Sequence, residues 1–169
     1  YKAMEFAGST IDDLSMEGRL TIANMAIEAG GKCGIFNPDE KTLEFIKART
    51  DLEFEEVYSD ADAAYLEIIE YNTVDIEPQV SFPHSPANTR GISNVGEVVI
   101  QQSVIGSCTN GRIEDLRVAA EVLKGRKIHR DVRLIIFPAT QAIYLQAMKE
   151  GLMETFIESE AVVSTPTCG

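Results

Sequence analysis

The sequence predicts an α/β protein whose C-terminal half is built on a parallel sheet. Two observations carry this expectation. From Glu97 onward, β-branched runs alternate with helix-length stretches in the order βαβαβ, the pattern that gives parallel strands and right-handed crossovers. Within it, Val132 to Phe137 is apolar at every position except Arg133, the run expected of a buried parallel strand. A third observation separates this half from the rest. Glu77 to Gly96 holds Pro78, Pro83, Pro86, Asn88, Gly91 and Gly96, which is loop chemistry. The expected organisation is therefore part of one α/β domain over 1–76, a linker over 77–96, and part of a second α/β domain over 97–169.

Taken in order, Ser15 is placed to cap a helix from Met16 to Ala29, and Gly30-Gly31 stops it. Lys32 to Phe36 is short and β-like, and Pro38-Asp39-Glu40 opens a helix through about Ala48. Thr50 to Asp62 is acidic and expected to be exposed. Ala64 to Val74 reads as one or two strands from Tyr65, Leu66, Ile68, Ile69, Tyr71 and Val74. Val98 to Ile105 is the next strand, Gly106 to Asn110 a loop and Arg112 to Leu123 a helix. After the strand at Val132 to Phe137 come helices over Thr140 to Glu150 and Leu152 to Glu158, broken by Gly151. A last strand, Ala161 to Ser164, leads into Thr165-Pro166-Thr167-Cys168.

Charge and composition narrow the function. The net charge of −12 over 169 residues disfavours nucleic-acid binding, which needs cations to replace phosphate counterions. An acidic chain binds a small di- or tricarboxylate only where cations are local. No apolar run approaches the roughly 20 residues that cross a bilayer, so no membrane partner is expected. Tyr1 to Glu5 is unlike a signal peptide, and both ends read as cuts through a longer chain. Three cysteines, an odd and sparse set, point to a reducing, cytoplasmic compartment.

Gly106-Ser107-Cys108-Thr109-Asn110-Gly111-Arg112 is the most informative segment. It joins a strand's carboxyl end to a helix's amino end, the edge where open α/β sheets bind ligands. Free amides at that helix start would favour a thiolate. Cys168 follows the third strand and so belongs to the same edge, and paired thiolates there suit iron-sulfur or zinc ligation. The residues alone leave Cys108 open between ligand and small buried hydrophobe, with Asn110 as a helix cap. Asn24 and Glu28, four apart, project from one helix face, and such a pair is as readily a solvated surface. His84 and His129 lack metal-ligand spacing and read as surface or structural, and Cys33 reads as core.

These motifs resemble a known family. Gly106 to Arg112 is similar to the first cluster-cysteine motif of the aconitase superfamily, in the form used by isopropylmalate dehydratases. Pro166-Thr167-Cys168-Gly169 resembles the start of its second. Ser15 to Arg19, Thr21 to Met25 and Glu28 to Gly30 resemble its helix motif, and Glu77 to Val80 with Pro83 to Pro86 its interdomain segment. The resemblance covers nearly the whole chain, in the family's order. It implies a three-layer α/β/α fold and a 4Fe-4S cluster held by three cysteines, two of them Cys108 and Cys168, with the third beyond Gly169. It implies contact of Asn24 with the cluster and a catalytic role for Glu28 at the substrate hydroxyl or bound water. The activity implied is a hydro-lyase, dehydrating and rehydrating a hydroxy di- or tricarboxylate, of isopropylmalate or homoaconitate type. Citrate is the alternative within the family, and a domain with structural cysteines the alternative outside it. A small subunit carrying the swivelling domain is the implied partner. The family's upstream Asp-Ser-His segment and its substrate-clamping arginines are not in these residues, so the 169 residues alone are expected to be inactive, with the cluster absent or incomplete.

Overall fold

A computed structural model describes residues 1–168. The chain divides into two compact units, Tyr1–Gly96 and Glu97–Gly169. No helix among the described residues is long and apolar enough to cross a membrane.

The first unit opens with strand β1 (Ala3–Glu5), followed by helices α1 (Ser9–Asp13) and α2 (Met16–Met25) and strand β2 (Cys33–Ile35). β1 and β2 pair in parallel, Ala3 opposite Cys33 and Glu5 opposite Ile35. Ser15 caps α2 as expected, its hydroxyl accepting from the Gly18 amide at 3.2 Å. The helix is shorter than its apolar pattern suggested. Beyond Met25 the chain tightens into turns, with the Glu28 amide on the Met25 carbonyl and the Gly31 amide on Ala26, and Gly30 takes a φ of +80°. Gly34 lets β2 lie against α2, because a Cβ there would sit 2.8 Å from the Ala23 Cα.

Helix α3 (Glu40–Lys47) is capped by Asp39, whose carboxylate accepts from the Thr42 amide at 3.0 Å. The other oxygen of Asp39 pairs with Arg19 at 2.6 Å, tying α2 to α3. Arg19 is only 4% exposed, and its guanidinium holds the Asp39 carboxyl well below the usual carboxylate range.

The strand expected over Ala64 to Val74 does not form. Residues 51–72 contain no helix or strand, and only a single 3₁₀ turn, η1 (Thr73–Asp75), follows. Tyr65, Leu66, Ile68, Ile69, Tyr71 and Val74 are all exposed. A strand needs a ladder partner, and no described strand pairs with this segment. Its best-held point is Glu5, whose carboxylate accepts from the Ser59 and Tyr65 hydroxyls, each at 2.7 Å.

The proline-rich stretch is more structured than a linker. Strands β3 (Gln79–Ser81) and β4 (Thr89–Gly91) form an antiparallel pair, followed by a 3₁₀ turn, η2 (Ile92–Asn94), and all belong to the first unit. Glu77 fastens the pair from outside, accepting from the Ser93 amide and hydroxyl at 3.2 and 2.9 Å. Three-residue strands flanked by prolines leave no periodicity to read.

The second unit is the expected βαβαβ. Strands β5 (Gln102–Gly106), β6 (Arg133–Phe137) and β7 (Val162–Val163) are parallel in the order β5-β6-β7. Helix α4 (Ile113–Leu123) connects the first two, and α5 (Gln141–Lys149) with α6 (Leu152–Glu158) connects the second two. Strand β5 begins later than its apolar run, since Val98, Val99 and Ile100 are exposed and unladdered. Leu134, Ile136, Ile105 and Val163 share one sheet face and pack with Leu116, Ala119, Ala120, Ala147, Met153 and Phe156 from all three helices. The opposite face carries Val104 and Val162, each about half exposed.

Candidate functional site

Parallel pairing puts the carboxyl ends of β5, β6 and β7 on one edge. Cys108 lies two residues beyond β5. Cys168 lies five beyond β7, after the Ser164 amide has extended the ladder by bonding the Ile136 carbonyl at 2.9 Å. Both cysteines thus sit on segments leaving that edge, and both are exposed. Gly169, which follows Cys168 in the start of the second cysteine motif, lies outside the described residues.

The Cys108 loop is shaped by its glycines. Gly106 and Gly111 have φ values of +93° and +87°, and a Cβ on either would collide with the Phe137 carbonyl oxygen. The loop therefore leaves and rejoins the unit over one peptide of β6. Between the two glycines Ser107, Thr109 and Asn110 are half-buried while Cys108 is exposed. Ser107 itself has a φ of +119°, a strained value for a residue with a side chain, and its hydroxyl lies 3.7 Å from the Cys108 sulfur.

One expectation about this loop needs correcting. The amides of Gly111 and Arg112 are not free to face Cys108. Both donate to the Asp115 carboxylate, each at 3.0 Å. Sequence reasoning passed over Asp115, although an acid at the third position of a helix following a strand is the signature of such a cap. The Arg112 Nε, at the start of α4, is buried with no hydrogen-bond partner among the described residues.

The other candidates fall as follows. Asn24 lies in the last turn of α2 and is exposed. Glu28 is also exposed but lies past the helix end, in the turn, so the two do not share a helix face as their spacing suggested. Cys33 is not core. It is exposed at the start of β2, where Gly34 rather than Cys33 faces α2. His84 and His129 are exposed. Among the described residues no three His, Cys, Asp or Glu side chains gather to hold a metal ion. What the edge offers a cluster is two exposed thiols and a loop without Cβ atoms at its glycines. This donor set suits part of an anionic iron-sulfur centre.

A model of the aconitase family (aconitate hydratase) matches residues 1–99 and 90–169. The whole chain aligns with 3-isopropylmalate dehydratase large subunits, at 61% identity in Halothermothrix orenii, 63% in Clostridium kluyveri and 59% in Heliobacterium modesticaldum. In each case the chain spans 40% of the length of the relative. With both family matches together covering every residue from the α2 motif to the second cysteine motif, the chain belongs to the aconitase family.

Proposed function

We propose that this chain supplies the cluster-facing part of a two-subunit 4Fe-4S hydro-lyase that isomerises a hydroxy diacid by dehydration and rehydration. The observation that carries the reading is the placement of Cys108 and Cys168 on segments leaving one carboxyl edge. In this reading Cys108 and Cys168 are two of the cluster's thiolate ligands. Such a cluster, when bound, supplies an open iron that acts as a Lewis acid toward the substrate's hydroxyl and carboxylate. Asn24 orients that site. Glu28 accepts or returns a proton at the substrate hydroxyl, a task suited to a carboxylate near a polarised oxygen. The identity to large subunits that share the dehydratase name supports 3-isopropylmalate, or a homologous acid, as substrate, and a small subunit as partner.

The test is anaerobic reconstitution of the full-length large subunit with its small subunit, assayed on several hydroxy diacids. Cys108→Ser and Cys168→Ser should each abolish stoichiometric four-iron loading. Glu28→Gln should keep the iron while lowering kcat by about 10² to 10⁴ fold. Full turnover in Glu28→Gln, or full iron in either serine variant, would remove that residue from its role.

A further inference from the structure

We infer that Asp115 is the positioning residue that sets where Cys108 presents its thiol. The inference rests on the reading of Cys108 as a ligand only for its purpose, because the geometry stands apart from it. The segment between β5 and α4 is fixed at both ends. At the near end, Gly106 is laddered beside Phe137. At the far end, the Gly111 carbonyl accepts from the Ala139 amide at 2.8 Å, and one oxygen of Asp115 accepts from the Gly111 and Arg112 amides at 3.0 Å each. Only Ser107, Cys108, Thr109 and Asn110 lie between these anchors. Four residues held at both ends, one of them at a φ of +119°, have little freedom, so moving one anchor moves the cysteine.

Asp115 is the anchor a side-chain substitution can remove. It differs in kind from the other acidic cap, Asp39, which binds the amide and hydroxyl of Thr42 in its own helix and an arginine. Asp115 instead spends its oxygen on the two amides that end the loop.

The experiment compares Asp115→Ala, Asp115→Asn and the unaltered sequence in the iron-free full-length protein, by amide hydrogen exchange and by peptide-resolved alkylation of Cys33, Cys108 and Cys168. In Asp115→Ala the Gly111 and Arg112 amides should exchange about tenfold faster or more, the scale of a lost charge-assisted hydrogen bond. Cys108 alkylation should rise severalfold while Cys33 and Cys168 keep their rates. Asp115→Asn retains an acceptor oxygen and should restore both readouts to within about twofold. Equal acceleration at Cys168, which marks general loosening of the unit, would overturn the inference, as would unchanged Cys108 reactivity in Asp115→Ala. An asparagine variant that behaves like alanine would do the same, by making charge rather than hydrogen-bond geometry the cause. These results are independent of iron loading in the full-length Cys108→Ser protein. Positioning by Asp115 can therefore stand where cluster ligation fails, or fail where ligation stands.

Discussion

The two units hold themselves together by different means. Among the described residues, nine of the ten buried hydrophobic residues lie in the second unit, and only Ala26 lies in the first. The second unit is organised by apolar side chains of three helices on one sheet face. The first is organised by polar clips: Arg19 with Asp39, Glu5 with Ser59 and Tyr65, and Glu77 with Ser93. Apolar burial is cumulative and tolerant of register, whereas each clip depends on two or three atoms meeting. The first unit should therefore be the easier to open, and its amides should exchange at lower denaturant than those of β6 and α4.

The sharpest way to break the contrast is Phe156→Ala. This ring is fully buried at the centre of the second unit's core, and its loss should cost about 3–5 kcal/mol, read as a lowered denaturant midpoint for that unit. A cost under 1 kcal/mol would mean that the core is not what organises it. Next comes Asp39→Asn, which weakens the bond to Arg19 but keeps an acceptor for the Thr42 amide. Asp39 is partly exposed, so solvent screening lowers the expected loss to about 1–2 kcal/mol, confined to the first unit.

The smallest effect separates charge from packing within the second unit. Arg117 grips Glu150 through two bonds of 2.8 and 2.7 Å, and with Gln146 it lowers the Glu150 pKa from 4.5 to about 2. A depressed carboxyl pKa adds stability that is fully present above the unfolded value. That stability disappears as pH falls from about 4.5 toward 2. Glu150→Gln should flatten this acid limb by lowering the neutral-pH midpoint toward the acid one, and only by a small amount, since the pair is solvent-exposed. An acid titration of unfolding in both proteins checks it.

The same contrast explains what could be read in advance. β6, α4, α5 and α6 announce themselves through apolar periodicity because that periodicity is buried. The parallel order and the shared edge of Cys108 and Cys168 followed from the alternation of elements. In the first unit the signal misled. Tyr65 to Val74 has strand-forming residues, but propensity describes fit to a pleated neighbour, and no described neighbour is there. Glu28 has helical spacing from Asn24, but spacing cannot show that the chain leaves the helix after Met25, four residues before Ala29. Asp115 was legible only as a cap, because its second partner, the Gly111 amide, belongs to the loop rather than the helix.

The bond from the Ala139 amide to the Gly111 carbonyl also has a meaning in time. Its two halves are 28 residues apart (139 − 111), so during synthesis the loop emerges well before the strand end that fixes it. At roughly 5–20 residues per second, the Cys108 thiol waits about 1–6 s in an unanchored chain. The growing polypeptide thus carries that sulfur into solution before it has the means to aim it, and the thiol's direction is set only once the end of β6 has been made.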